Sequence, residues 1–198
     1  MTGVQTCALP ILANGSFPTI LERLNLPCLV SAIGNKYPNK TVFWIIYMSY
    51  ENGTLRGFYK VENPKKYLGN VQNVVFRSSW ELKFMKWCDA NSNVLEWGSE
   101  ELAIPYISPV DKRIHRYFVD FYMKIKDVSG QTNKYLVEIK PAKFLIPPKQ
   151  PKRQTKRFIN EVVTYSINQA KWKFAEEFCK DQGWKFIILT EKDLGIVA

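Results

Sequence analysis

The chain has 198 residues, of which 46% are apolar and 14% aromatic, and its formal net charge is +10 at pH 7. This length suffices for one well-packed α/β domain and is short for two, so we expect a single core. The excess of Lys and Arg favours a polyanionic partner such as nucleic acid, although many basic proteins bind none. No apolar run reaches membrane-spanning length and no signal-peptide pattern is present, so we expect a soluble intracellular protein.

Cysteine and histidine usage excludes two further kinds of site. The four cysteines, at positions 7, 28, 88 and 179, show no close pairing, and His115 is the only histidine. This spacing cannot assemble a zinc cluster, and it fits a reducing compartment better than a disulfide framework.

The first 47 residues stand apart from the rest of the chain. Residues 1–11, MTGVQTCALPI, match the conceptual translation of a common sequencing adapter read from a GTG start codon, so we interpret them as an assembly artefact. Residues 12–47 carry few charges and no clear helix or hairpin pattern. Two interpretations stay open for them: non-native upstream translation, with Met48 as the natural start, or a genuine arm or small subdomain.

A polar, turn-rich lead at residues 48–76 precedes the main domain, which we place at residues 77–198. The domain opens with a predicted helix in RSSWELKFMKWCDA, where Ser78 and Glu81 form an S-x-x-E capping box. Trp80, Phe84 and Trp87 recur at helical spacing and predict its buried stripe. The helix is expected to end near DANSN.

Three predicted strands follow this helix. The first lies in VLEW and ELAIPYI, which lead to a turn at SPVDKRIH. The second, RYFVDFYMKIKD, is predicted to be one strand that pairs with the preceding segment as a hairpin. After the turn VSGQTN, the stretch KYLVEIK gives a strand beside it.

The C-terminal part is predicted to form a connector, a helix and a last strand. Residues 141–156, PAKFLIPPKQPKRQTK, are rich in proline and predict an extended connector. A long helix follows, with Gly183 as its C-terminal cap, and WKFIILT is the final strand. The predicted apolar face of this helix consists of Ile159, Val163, Ile167, Ala170, Phe174 and Phe178.

Charged residues interrupt two of the apolar strands. Glu138 and Lys140 point to the same side of one strand, with roughly 6 to 7 Å of rise between them. In the adjacent strand Asp120 is predicted to lie on the face shared with Phe118 and Tyr122. Carboxylates from neighbouring strands at one end of a sheet form an oxygen pocket suited to Mg²⁺. The alternative is a structural ion pair, in which Arg116 or Lys140 neutralises the carboxylates.

These residues resemble the signature of the PD-(D/E)XK nuclease superfamily, with Asp120 in the first half and Glu138 and Lys140 in the E-x-K half. The likeness to the head completion nucleases of T-even-type tailed phages is more specific, and a more distant one is to the end-cutting TnsA-like endonucleases of Tn7-type transposons. The stretches that carry it are FRSSWE, WCD, EWGSEE, IPYISPVD, IHRYFVDF, VEIKP and YSINQAKW. One departure is Val119, which stands where many relatives have the proline of the PD motif.

The resemblance implies a restriction-endonuclease-like α/β core, with a central mixed sheet flanked by helices. It implies a Mg²⁺-dependent DNA endonuclease, with Mn²⁺ as a substitute, that acts in head completion and head–tail joining after DNA packaging. Asp120 and Glu138 would hold the metal, Glu81 would join them directly or through water, and Lys140 would orient the attacking water or stabilise developing charge. His115 is not assigned as a base, because it lies beside a turn.

The resemblance also implies partners beyond DNA, namely phage head or portal-vertex proteins in the cytoplasm of the infected host or in the virion. The basic connector after the catalytic strand supplies candidate DNA contacts, with a solvated linker as the alternative. These candidates are Lys143, Lys149, Lys152, Arg153, Lys156 and Arg157. Asn168, Lys171 and Trp172 are predicted on the polar side or flank of the long helix, where Asn168 and Lys171 are candidates for DNA contact or active-site support. Two other functions stay open: a non-catalytic DNA-binding or structural head-vertex protein, and a repair or transposon-type nuclease.

Overall fold

The computed structural model describes residues 48–51 and 54–196, and the predicted artefact at 1–11 and the open segment 12–47 lie outside them. The described residues confirm the predicted α/β class, with a mixed sheet flanked by helices. The strands are β1 Met48–Glu51, β2 Thr54–Phe58, β3 Val75–Phe76, β4 Val94–Ser99, β5 Ala103–Ile107, β6 Ile114–Phe118, β7 Phe121–Lys126, β8 Thr132–Ile139 and β9 Lys185–Leu189. The helices are α1 Ser79–Ala90 and α2 Lys156–Gln182.

The central sheet has the strand order β4-β7-β8-β9. Strand β7 is antiparallel to β4 and β8, while β9 runs parallel to β8 after the α2 crossover that a parallel pair requires. Phe121 pairs with Val137, so one further step of this register places Asp120 opposite Glu138. The two carboxylates therefore leave neighbouring strands at the same end of the sheet.

The sheet separates two apolar clusters. Phe121 and Val137 face α1 and pack in one cluster, whereas Leu136 and Tyr122 face α2 and belong to the other. Because side chains alternate along a strand, Glu138 shares the α2 face with Leu136. The charged end of β8 thus opens toward α2.

The stretch RYFVDFYMKIKD is not one regular strand, as the sequence predicted. It divides at Val119 and Asp120 into β6, which pairs with β5, and β7, which pairs with β4 and β8. Backbone hydrogen bonds from Val119 N to Leu102 O and from Glu100 N to Asp120 O carry the pairing across the division. The predicted hairpin is therefore present but bent. Phe118 stays 47% exposed on the outer side of the β5–β6 ribbon and does not join Tyr122 on the α2 face.

The bend coincides with a β-bulge. Ser99 faces Phe121 and Ala103 faces Phe118, so three residues on one strand oppose two on the other. The extra residue lies in the Glu100–Glu101 pair, where Glu100 has a φ of 55° in the left-handed region. Bulges bend a strand and redirect its side chains, and this one faces Asp120.

Helix α1 begins as the capping box predicts. The Ser78 hydroxyl oxygen accepts a hydrogen bond from Glu81 N at 3.1 Å, and Glu81 Oε2 accepts one from Arg77 N at 2.8 Å. Phe84 and Trp87 are buried as predicted, while Trp80 is only partly buried against the same cluster. The cap fixes Glu81 at the first turn of the helix.

The lead at residues 48–76 forms a small sheet of β1, β2 and β3 instead of turns alone. It is fastened to the end of α1 by the buried Asp89 carboxylate. This group accepts hydrogen bonds from the Tyr59 hydroxyl at 2.9 Å, from Glu62 N at 2.6 Å and from Asn63 N at 3.0 Å. Three donors on one buried carboxylate stabilise the junction between lead and helix.

Helix α2 ends at Gly183 as predicted, with a φ of 67°, but its buried face differs from the predicted one. The buried residues are Asn168, Trp172, Ala175 and Cys179, while Ile167, Ala170, Phe174 and Phe178 are partly buried at the flanks. Ile159 and Val163 are exposed. The exposure of Ile159 and Val163 follows from length, because 27 residues of helix span about 40 Å and the eight-residue strand β8 only about 27 Å. The first turns of α2 therefore extend past the sheet.

The connector has little regular structure, as predicted, apart from a single 3₁₀ turn at Ala142–Phe144. Cys88 and Cys179 are buried free thiols. Among the described helices, none is both long and apolar enough to cross a membrane.

Candidate active site

The structure brings Asp120, Glu138 and Lys140 together at the end of β8. Lys140 Nζ lies 3.1 Å from Glu138 Oε1, and Ile139 N donates a hydrogen bond to Asp120 Oδ2 at 2.8 Å. The backbone of the residue between Glu138 and Lys140 thus holds the carboxylate from the neighbouring strand. The predicted convergence of these three residues is present in the fold.

Glu138 is 3% exposed, and both of its oxygens have partners. Oε1 faces Lys140, and Oε2 accepts a hydrogen bond of 2.6 Å from the Tyr117 hydroxyl. A buried carboxylate without such partners would carry a large desolvation cost. Its orientation is therefore fixed from two sides.

Asp120 lies in an environment that disfavours its negative charge. Burial raises the pKa of its carboxyl well above the usual value, and the nearby Glu138 carboxylate raises it further. The hydrogen bond from Ile139 N and the charge of Lys140 oppose this shift without cancelling it. Among the described residues, Ile139 N is the donor to this carboxylate, through Oδ2, and none donates a hydrogen bond to Oδ1.

Lys140 carries the compensating positive charge. Burial alone lowers the pKa of its ammonium group, but the carboxylates of Glu138 and Asp120 outweigh that effect and raise the pKa overall. The side chain is 32% exposed. Lys140 is therefore charged at neutral pH and open to the cleft beside it.

That cleft lies between the start of α1, the end of β8 and the middle of α2, and has a volume of about 500 Å³. Its lining includes Glu81, Lys140, Phe144, Thr164 and Asn168. Of the four predicted catalytic residues, Glu81 and Lys140 thus line the cleft directly. Glu138 lies buried behind Lys140.

Glu81 serves the helix cap with both oxygens. Oε2 accepts a hydrogen bond from Arg77 N, and Oε1 accepts one from the Ser78 hydroxyl at 2.9 Å. Burial raises the pKa of this carboxyl, while the two hydrogen bonds lower it in part. Metal ligation by Glu81 stays a prediction, because the cap by itself accounts for its position.

The donor set fits a hard divalent cation. Two adjacent buried carboxylates repel each other, and Mg²⁺ typically uses one or two carboxylates together with water and phosphate oxygens. Among the described residues, no group of three or more His, Cys, Asp and Glu side chains is placed to hold a metal ion. A metal here would therefore depend on Asp120, Glu138 and non-protein oxygens.

The predicted DNA contacts divide into three groups. Most are exposed side chains of the connector and the start of α2, and one of these, Arg157, pairs with Glu161 at 2.9 Å. These exposed residues are Lys143, Lys149, Lys152, Arg153, Lys156 and Arg157. Asn168 is 7% exposed and lines the cleft, whereas Lys171 lies over aromatic rings of the β5–β6 ribbon. Asn168 and Trp172 belong to the buried face of α2, not to a polar flank as predicted.

Two features of the site were missed by sequence reasoning. One is the Tyr117 hydroxyl on Glu138, because strict alternation along a straight strand turns Tyr117 away from Asp120. The other is the pairing of Arg77 with Glu100, whose two contacts of 2.8 and 2.7 Å tie the start of α1 to the bulge opposite Asp120. These contacts join residues 21 and 23 positions apart in the chain, so no local pattern in the sequence signals them.

Two comparisons with known proteins identify the family of this chain. A family model described as the TnsA-like endonuclease N-terminal domain matches residues 91–191, which include Asp120, Glu138 and Lys140 but not Glu81. The chain is also 42% identical over 137 residues to the head completion nuclease of Enterobacteria phage T4, covering 67% of this chain and 89% of that protein. The chain belongs to the TnsA-like endonuclease family and is a homologue of that phage nuclease.

Proposed function

We propose that this chain is a Mg²⁺-dependent DNA endonuclease that hydrolyses phosphodiester bonds in phage head completion and head–tail joining. The observation that carries the proposal is the convergence of Asp120, Glu138 and Lys140 beside an open cleft. Family membership supports the nuclease activity, and the name of the T4 homologue supports the setting.

We assign each of these residues a role that its contacts support. Asp120 and Glu138 would hold the metal, with Asp120 contributing the oxygen that has no donor from the described residues. When bound, Mg²⁺ polarises the scissile phosphate and lowers the pKa of a coordinated water. Lys140 Nζ, held by Glu138, is placed to orient the attacking water or to stabilise negative charge on the phosphate oxygens.

The DNA would enter through the cleft between α1 and α2. Asn168 offers an amide at the cleft wall, and the exposed cations of the connector continue from Lys143, which lies one residue from Phe144 in the lining. Cations along this path neutralise backbone phosphates without reading sequence. We place this activity in the infected host cell, on packaged heads, where head or portal-vertex proteins would be neighbours.

The test uses the full chain and plasmid DNA with Mg²⁺ or Mn²⁺. Parent protein is expected to nick or cut the plasmid, while Glu138→Ala and Lys140→Ala abolish cleavage, because each removes one of the converging groups. Matched controls are Glu176→Ala and Lys180→Ala, which remove the same types of charge from exposed positions of α2.

Cleavage by the Glu138→Ala protein at the parent rate would sink the site assignment. DNA binding by the parent without cleavage under any divalent cation would favour the non-catalytic head-vertex function. A parent that cuts plasmid but does not restore the activity of immature phage heads would favour the repair or transposon-type setting.

A further inference from the structure

We propose that Tyr117 is a positioning residue for the metal site, because its hydroxyl fixes Oε2 of Glu138 while Oε1 faces Lys140. The inference deepens the proposed function and rests on it. It concerns a residue outside the E-x-K signature, on the ribbon strand that precedes Asp120.

The hydrogen bond itself is the first observation. It measures 2.6 Å and joins a tyrosine that is 3% exposed to a glutamate that is 3% exposed. Among the described residues, Tyr117 is the donor to Oε2 of Glu138. A tyrosine hydroxyl can donate and an ionised carboxylate only accepts, so Tyr117 is the donor in this contact.

The second observation is that Tyr117 is itself held in place. It pairs with Ile104 in the β5–β6 ribbon and packs in the apolar cluster under α2. Lys171 of α2 places its ammonium group 5.4 Å from the Tyr117 ring and 5.9 Å from the ring of Tyr106. A cation over an aromatic face is attracted to it, so the ring is clamped between ribbon and helix.

The consequence concerns the geometry that Glu138 can offer to a cation. With Tyr117 on Oε2 and Lys140 on Oε1, the carboxylate has one orientation, whereas without the hydroxyl it can exchange its two oxygens in front of Lys140. Groups that orient metal ligands typically change metal affinity or activity by about 10- to 100-fold when they are removed. Tyr117 thus acts on Glu138, and through it on the metal, without touching DNA or the reacting phosphate.

Tyr117→Phe tests the idea, since it keeps the ring and removes only the hydroxyl. Tyr106→Phe is the matched control, because Tyr106 is buried on the same ribbon under the same lysine but makes no hydrogen bond to Glu138. Binding of Mn²⁺ to the full chain is followed without DNA by the loss of the free-ion electron paramagnetic resonance signal. Cleavage is measured in parallel over a range of Mg²⁺ concentrations.

Tyr117→Phe is expected to raise the Mn²⁺ dissociation constant by about 10- to 100-fold and to raise the Mg²⁺ concentration for half-maximal cleavage by a similar factor. Tyr106→Phe is expected to stay within about twofold of the parent, and melting curves of both variants without metal are expected to show a cooperative fold. Parent-like Mn²⁺ binding by Tyr117→Phe would overturn the inference. Equal losses in both variants would also overturn it, because they would indicate ribbon packing.

Glu138→Gln separates this inference from the proposed function. If Glu138→Gln cleaves like the parent, the metal site assigned in the proposed function is wrong. If Glu138→Gln is inactive while Tyr117→Phe binds Mn²⁺ like the parent, the proposed function stands and the positioning role of Tyr117 is wrong.

Discussion

Replacing Asp120 by Asn is expected to make the metal-free protein more stable while it abolishes cleavage. The burial of Asp120 and its position opposite Glu138 disfavour its charge, and both raise the pKa of its carboxyl. The amide of Asn keeps an oxygen that can accept the hydrogen bond from Ile139 N. The substitution therefore removes a repulsion and keeps the backbone contact.

The size of the effect follows from the strand register. Residues directly opposite in antiparallel strands have Cβ atoms about 5 Å apart, and two unit charges at that distance repel by about 3 kcal/mol at an effective dielectric constant of about 20. The attraction of Lys140 for Asp120 is smaller than this repulsion and offsets part of it. We expect a net gain of about 1 to 2 kcal/mol in the free energy of unfolding, or about 2 to 8 °C in melting temperature.

The pH dependence has a definite sign. A carboxyl whose pKa is raised by folding contributes stability below its unfolded value, near 3.8, and loses that contribution as pH rises through the raised pKa. The difference between Asp120→Asn and parent is therefore expected to vanish in acid below that value and to grow toward neutral pH.

The measurement is denaturant unfolding at several pH values in a chelator, with Asp181→Asn as the control for an exposed carboxylate. That control is expected to change stability by less than about 0.5 kcal/mol. Added Mg²⁺ is expected to stabilise the parent, because a ligand stabilises the folded state that binds it. It is not expected to stabilise Asp120→Asn, which lacks the Asp120 carboxylate. The account of burial and repulsion would be refuted if Asp120→Asn were less stable than the parent at neutral pH. It would also be refuted if the difference in the free energy of unfolding did not change with pH.

Three further predictions concern other parts of the chain. Asp89→Ala is expected to lower the free energy of unfolding by about 2 to 4 kcal/mol in denaturant titrations, because it leaves the Tyr59 hydroxyl and two backbone N–H groups without their acceptor; an unchanged midpoint would contradict this. Gly183→Ala is expected to cost about 1 kcal/mol, from the left-handed backbone alone, since an added Cβ would meet nothing within 4 Å; a loss above about 3 kcal/mol would point to a different cause. Lys152→Gln combined with Arg153→Gln is expected to weaken binding to unrelated DNA sequences equally and to reduce the logarithmic salt slope by about 2; an unaltered slope would remove both residues from the DNA path.

The sequence was sufficient to predict the elements of the core, because each has a strong local signal. The capping box of Ser78 and Glu81 and the left-handed cap at Gly183 are set by interactions within a few residues, and both appear in the structure. The same holds for the placement of Glu138 and Lys140 on one side of β8, which depends only on alternation along a strand.

The parts that could not be predicted depend on tertiary packing. The buried face of α2 is set by where the sheet ends, so periodicity alone placed Ile159 and Val163 in a core that does not reach them. The contact of Tyr117 with Glu138 depends on the bend at Asp120, which no local pattern of side chains specifies. Glu81 is ambiguous for a related reason, because its cap and a metal would use the same oxygens.

The bulge at Glu100 and Glu101 determines which side chains of the following strand, β5, face α2. Since side chains repeat every two residues, one extra residue exchanges the two faces of the strand beyond it. Deleting a single residue here would turn Ile104 and Tyr106 to solvent and bring Pro105 and Ile107 under α2. The number of residues in this segment therefore determines which side of the ribbon packs beneath the helix that borders the cleft.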